Sequence, residues 1–103
     1  MAIGIDLVHL PEFETHLNTL GGPEKVFTEY ELTEHKTLES RAGVFAAKEA
    51  YMKAIGTKID WLAIWVEKKD SGKPTLQTHA KLPSPQDVSI SHSGEYTTAI
   101  VQL

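Results

Sequence analysis

An α+β fold, with a mainly antiparallel sheet packed on one long central helix, is what this sequence predicts, and three observations carry it. Arg41 to Thr57 reads RAGVFAAKEAYMKAIGT, with helical periodicity on two sides. After Gly56 the pattern changes to short alternating segments separated by turn signals. Helical segments therefore cluster before most of the strands, in the order β-α-α-α-β-β-β-β.

The first strand is expected from Ala2 to Leu10, where Ile3, Ile5 and Leu7 point one way and Gly4, Asp6 and Val8 the other. Pro11 ends it. Leu10, Phe13, Leu17 and Leu20 recur at helical spacing until Gly21-Gly22-Pro23, and Glu12, Glu14 and His16 form the outer face of that helix. Thr28 and Glu31 have the spacing of a capping box, which opens a short helix through Leu32. A turn near Thr33 to Thr37 separates it from the main helix, predicted from Thr37 to Ile55 and closed by Gly56 as its C-cap. Leu62, Ile64 and Val66 alternate with Ala63, Trp65 and Glu67, and Lys69 to Pro74 is a turn. Thr75 to His79 returns, and Leu82 to Asp87 is a loop. Val88 to His92 and Tyr96 to Leu103 then form a hairpin across Ser93-Gly94-Glu95.

In the main helix, Ala42, Phe45, Ala46, Glu49, Met52 and Lys53 share one strip, and Val44, Ala47, Tyr51 and Ile55 another. Such a helix is mostly buried, so the charges of Lys48, Glu49 and Lys53 are the anomaly. Lys53, one turn on, is the nearest partner for Glu49. Two readings of Glu49 follow: an ion pair on a solvated edge, or a metal ligand. Asp6 interrupts an apolar strand in the same way, and His92 ends a strand between serines. If Asp6 and Glu49 converge, two carboxylates suit magnesium, which fills its shell with water and phosphate oxygens. Each residue also has a plainer reading: Asp6 as a loop cap, His92-Ser93-Gly94 as turn chemistry, Lys73-Pro74 as hairpin punctuation.

The 103 residues, 41% hydrophobic, suit a single domain spanning 1–103 with a thin core. A chain of this size buries roughly 60–65% of its unfolded surface, so burial between subunits would add usefully to stability. Net charge is −4, with 14 acidic against 10 basic residues and Arg41 as the one arginine, which argues against nucleic acid as a partner. The absence of cysteine excludes thiol catalysis, disulfides and Cys-zinc sites. His9, His16, His35 and His79 lack metal-ligand spacing, so zinc has little support. The N-terminal apolar run carries Asp6 and no basic flank, so neither a signal peptide nor a membrane span is expected. A cytoplasmic location is the default.

Four motifs carry a family resemblance: Gly4-Ile-Asp6-Leu-Val, Phe45-Ala-Ala-Lys-Glu-Ala50 with Lys53-Ala and Gly56-Thr57, Gly72-Lys-Pro74, and Val88-Ser-Ile-Ser-His-Ser93. In this order they resemble the holo-acyl-carrier-protein synthases, a 4′-phosphopantetheinyl transferase family of lipid and fatty acid biosynthesis. Phe27-Thr28, Glu31-Leu32 and the strand from Tyr96 to Val101 extend the match over most of the chain. The resemblance implies magnesium-dependent transfer of 4′-phosphopantetheine from coenzyme A to a serine of an acyl carrier protein. It implies that Asp6 and Glu49 hold the metal and, with Lys53, form the catalytic set. Coenzyme contacts would come from Lys48, Lys53, Gly56, the turn Gly72, Lys73 and Pro74, and His92. It also implies a homotrimer with the coenzyme between neighbouring subunits.

The chain departs from the family pattern at several positions. Val44 stands where family members carry arginine, and Lys58 where they carry a second glycine. His9 replaces an acidic residue. The first helix, arginine-rich in the family, shows Glu12, Glu14 and His16, which implies altered carrier docking. Alternatives to the enzyme are a non-catalytic relative that keeps the trimeric fold and binds coenzyme A or another carrier, and an unrelated magnesium-dependent phosphate-ester enzyme.

Overall fold

The computed structural model describes residues 2–79 and 81–103. The chain runs β1 (Ile3–His9), α1 (Leu10–Thr19), α2 (Pro23–Val26), α3 (Glu29–Glu34), α4 (Leu38–Ile55), a 3-10 turn (Trp61–Ala63), β2 (Ile64–Lys68), β3 (Pro74–Thr78), β4 (Asp87–Ser93) and β5 (Tyr96–Gln102). Its class is α+β, as the sequence predicts. Two local features differ. Gly22, at φ 101°, and Pro23 at the first helical position turn the expected break into one helical turn, α2. Leu62 lies in the 3-10 turn instead of a strand, because the Asp60 carboxylate accepts its N–H at 3.0 Å and keeps the chain curled until Ile64.

All strand pairs are antiparallel, in two sheets ordered β1-β5-β4 and β2-β3. β1 joins the β4–β5 hairpin at β5, with Asp6 opposite Ala99. Helix α4 is the centre of the core. The Thr37 hydroxyl accepts the Ser40 N–H at 3.0 Å to start it, and Gly56, at φ 78°, ends it. From Ala42 to Met52 every residue except Glu49 is buried.

The small residues on one side of α4 let β1 approach closely. A Cβ on Gly4 would collide with the Ala50 carbonyl oxygen and stand 2.8 Å from the Ala54 nitrogen. Gly4 and Val8 are therefore buried, and Asp6 between them points toward the helix. The apolar set faces the other way: Ile3, Ile5 and Leu7 are 63%, 61% and 64% exposed, beside Tyr96 and Ile100 of β5.

Beneath the opposite flank of α4, a charged pair is sealed in the core. Glu31 and Lys48 are both fully buried and 2.6 Å apart. The Lys48 ammonium also donates to the carbonyls of Val26 at 2.7 Å and Trp61 at 3.0 Å, so its three hydrogens are all used. Glu31 closes the expected capping box with Thr28 and accepts the Val66 N–H at 2.8 Å. One pair thus ties α3, α4, β2 and the segment after α2 together. Breaking a buried pair strands a charge, so Glu31→Ala should cost about 3–5 kcal/mol in urea denaturation. A loss below about 1 kcal/mol, the range of exposed pairs, would show that the ammonium is solvated.

Candidate functional site

Asp6 and Glu49, 43 positions apart in sequence, line one cavity of about 540 Å³. Helix α1 forms its opposite wall through Pro11, Glu12, Thr15, His16 and Thr19, and Phe45 of α4 lies within it. Phe45 is held by Trp61, stacked at 4.9 Å, and by Phe13 and His16 edge-on at 5.3 and 5.4 Å. The Asp6 and Glu49 side chains are 13% and 14% exposed: partly desolvated, yet open to a ligand.

The pairing of these acids differs from the sequence expectation. Lys53 does not pair with Glu49; its ammonium reaches across to β1, donating to Asp6 Oδ1 and to the Ile5 carbonyl, both at 3.0 Å. The close approach of β1 to α4 places these acceptors beside Lys53. Glu49 instead receives Lys58, at 3.0 and 3.3 Å from its two oxygens, because the chain reverses at Gly56 and brings Lys58 back over the last turns of α4. Burial is the main influence that raises the Asp6 pKa, the Glu49 charge adds to it, and Lys53 opposes it.

Among the described residues no group of three or more His, Cys, Asp or Glu side chains is placed to hold a metal ion. The donor set here is two carboxylates. That set fits magnesium, which takes one or two carboxylates and completes its shell with water and phosphate oxygens.

His92, Gly72 and Pro74 meet in a second cavity of about 180 Å³, lined also by His35, Gly43, Val44 and Lys68. The His92 ring lies over Gly43: a Cβ there would stand 3.3 Å from Cε1 and 3.1 Å from the Ile90 methyl. Its Nδ1 is 2.8 Å from the hydroxyl of buried Thr97, directly opposite in the β4–β5 register, and 3.8 Å from Glu39. Neither Gly43 nor Thr97 was singled out from the sequence. The hairpin turn at Gly94-Glu95 already pairs position 92 with 97, so Thr97 was within reach of register counting.

Other expected coenzyme contacts lie elsewhere. Lys48 is a correction: it is sealed in the core by Glu31 and two carbonyls, as described above, and presents no donor to a surface ligand. Burial lowers its pKa, and Glu31 opposes that effect. Lys73 turns to Asp87 at 2.7 Å, away from the His92 cavity. Gly56 serves as the left-handed cap of α4, with open space where a Cβ would stand. Arg41 is also structural, donating to the carbonyls of His35 at 2.6 Å and Leu32 at 3.3 Å.

The raised Asp6 pKa has a defined consequence. A carboxyl whose folded pKa exceeds its ordinary 3.8 stabilises the fold fully below that value, and loses the contribution as pH rises through the folded pKa. Ionised Asp6 therefore costs the metal-free fold stability at neutral pH. Asp6→Asn should raise the thermal midpoint of the metal-free protein at pH 7, and calorimetry should show the gain shrinking as pH falls into the carboxylate range. A lower midpoint at pH 7 would show that the Lys53 pair outweighs burial.

Comparisons with known proteins agree with this architecture. A sequence model of the 4′-phosphopantetheinyl transferase superfamily matches residues 2–101. A holo-[acyl-carrier-protein] synthase of Bacillus cytotoxicus is 38% identical, over 100% of this chain and 94% of the relative. One from Nautilia profundicola is 37% identical, over 98% and 97%. Among solved structures, the Helicobacter pylori holo-[acyl-carrier-protein] synthase in complex with coenzyme A superposes with a TM-score of 0.86 at 26% identity, covering 97% of both chains. The Bacillus anthracis holo-(acyl-carrier-protein) synthase, in complex with CoA (3′,5′-ADP), gives 0.82 at 38% identity, covering 97% of this chain and 92% of the other. With a family match over nearly its whole length and relatives above 30% identity, the chain belongs to the 4′-phosphopantetheinyl transferase superfamily.

Proposed function

We propose that residues 1–103 act as one holo-acyl-carrier-protein synthase domain, moving 4′-phosphopantetheine from coenzyme A to a serine hydroxyl of an acyl carrier protein. The observation that carries this reading is the convergence of Asp6 and Glu49 on one open cavity, in a chain whose relatives bear that name. The serine hydroxyl gives its proton to a carboxylate or to water, its oxygen forms a bond to the phosphorus next to the pantetheine arm, the pyrophosphate bond breaks, and adenosine 3′,5′-bisphosphate leaves. Asp6 and Glu49 would hold magnesium, which when bound supplies charge stabilisation to the pyrophosphate. Lys53, paired with Asp6 and half exposed, would meet phosphate oxygens beside it. The Phe45 ring and helix α1 would flank the substrate in this open cavity. His92, Gly72 and Pro74 would contact the coenzyme from their own cavity, with Lys68 as a cation there where Val44 offers none. A cytoplasmic location suits both substrates, and no helix among the described residues is long and apolar enough to cross a membrane.

Two features support a homotrimer. The outer face of β1 and β5 exposes Ile3, Ile5, Leu7, Tyr96 and Ile100 side by side, and an apolar patch of this kind marks an interaction surface. In addition, the Asp6/Glu49 and His92 cavities are separate on one protomer, so a neighbouring subunit would complete the site. Light scattering at micromolar concentration should report three copies, and Ile5→Asp should reduce the mass to one. A wild-type monomer would contradict the assembly.

Mass spectrometry of apo carriers incubated with coenzyme A and magnesium tests the activity. Wild type should add one phosphopantetheine, and Glu49→Gln should lose transfer by orders of magnitude while keeping its thermal transition. Because Glu12, on the cavity wall, and Glu14 are both exposed on α1, salt should leave unchanged or raise the rate with an acidic carrier. Coenzyme binding without transfer to any carrier would identify a non-catalytic relative.

A further inference from the structure

The Lys58 ammonium straddles Glu49, with 3.0 Å to one carboxylate oxygen and 3.3 Å to the other. Its own side chain is 75% exposed, whereas Glu49 is 14% exposed. The arm is thus loosely held at a carboxylate that is not. Two backbone features return it to this spot: the left-handed turn at Gly56 and the 3-10 turn capped by Asp60. The ammonium also lies 6.0 Å from the centre of the Trp61 ring, which stacks on Phe45 in the cavity wall. Asp6 already has Lys53, so each acid carries its own lysine.

We propose that Lys58 is a built-in competitor for the divalent cation at Glu49, covering both oxygens until a metal displaces it. This rests on the reading that Asp6 and Glu49 hold the metal. A cation held by Asp6 and Glu49 would need the Glu49 oxygens that Lys58 occupies, and two positive charges repel each other there. The Lys58 end of the pair is exposed and screened by water, so displacement is cheap and the arm swings into solvent. The effect is a higher metal threshold without loss of the site, and a metal-free state whose acids do not repel each other unscreened.

The test is manganese binding to the substrate-free protein by calorimetry, with side-chain NMR of Lys58 during a magnesium titration. Lys58→Ala should bind manganese about two- to fivefold more tightly than wild type, the range set by an exposed pair. In a Glu49→Gln background, the same substitution should change the affinity much less. The Lys58 Cε resonance should shift as magnesium saturates wild type. If Glu49→Gln weakens manganese binding but Lys58→Ala does not strengthen it, or the Lys58 resonance stays put, the metal site stands and the competitor falls. If wild type and Lys58→Ala both fail to bind manganese, the metal reading falls and the competitor with it.

Discussion

The contact between β1 and α4 is the constraint on which the site depends. Gly4 leaves no room for a side chain against the Ala50 carbonyl, so strand and helix touch backbone to backbone. Only at that separation can the Lys53 ammonium span from the helix to both Asp6 and the Ile5 carbonyl. The same separation puts Asp6 and Glu49 on one cavity wall instead of on two surfaces. A strand held farther out by a methyl group would leave two ordinary surface acids. The small residues of α4 are therefore functional through geometry, although none of them carries chemistry.

Charge burial separates two kinds of lysine on this helix. Lys48 and Lys53 are five residues apart, and helical phase alone sends them to different environments. Lys48 enters the core, where burial depresses its pKa and where Glu31 and two carbonyls must satisfy every donor. Lys53 keeps its ammonium at the cavity rim, with a partner it can leave. Fully satisfied buried charges hold elements in register, whereas exposed pairs can be exchanged for a ligand. Glu31 accordingly belongs to the scaffold, and Glu49, though also in a charged pair, belongs to the site.

Local pattern made most elements legible. The capping box at Thr28, the Gly56 cap and the two hairpins are short-range signals, and each is present in the fold. Asp6 and Glu49 were visible because acids in apolar elements are costly and demand an account. Their partners were not visible. Lys58 reaches Glu49 across a chain reversal, and Glu31 reaches Lys48 across 17 positions, so no i,i+4 rule finds either pair. The β1 pattern is silent on facing for a related reason. Alternation separates Ile3, Ile5 and Leu7 from Gly4, Asp6 and Val8 but does not say which set faces the core, and here packing against α4 selects the set with the glycine.

The outward set of β1 has its own physical logic. Exposing three aliphatic side chains costs a small domain stability that its thin core can hardly spare. The same strand must present Asp6 inward, and a strand has only two faces. The apolar residues are thus left on the sheet face turned away from α4 and Asp6. Ile100 stands directly opposite Ile5 in the register, which joins the exposed residues of β1 and β5 into a continuous patch. Self-association through that patch would bury the cost of building the site, and it would do so beside the very strand that carries Asp6. One element therefore serves both faces: a change that loosens β1 from α4 would disturb the cavity on one side and the apolar patch on the other.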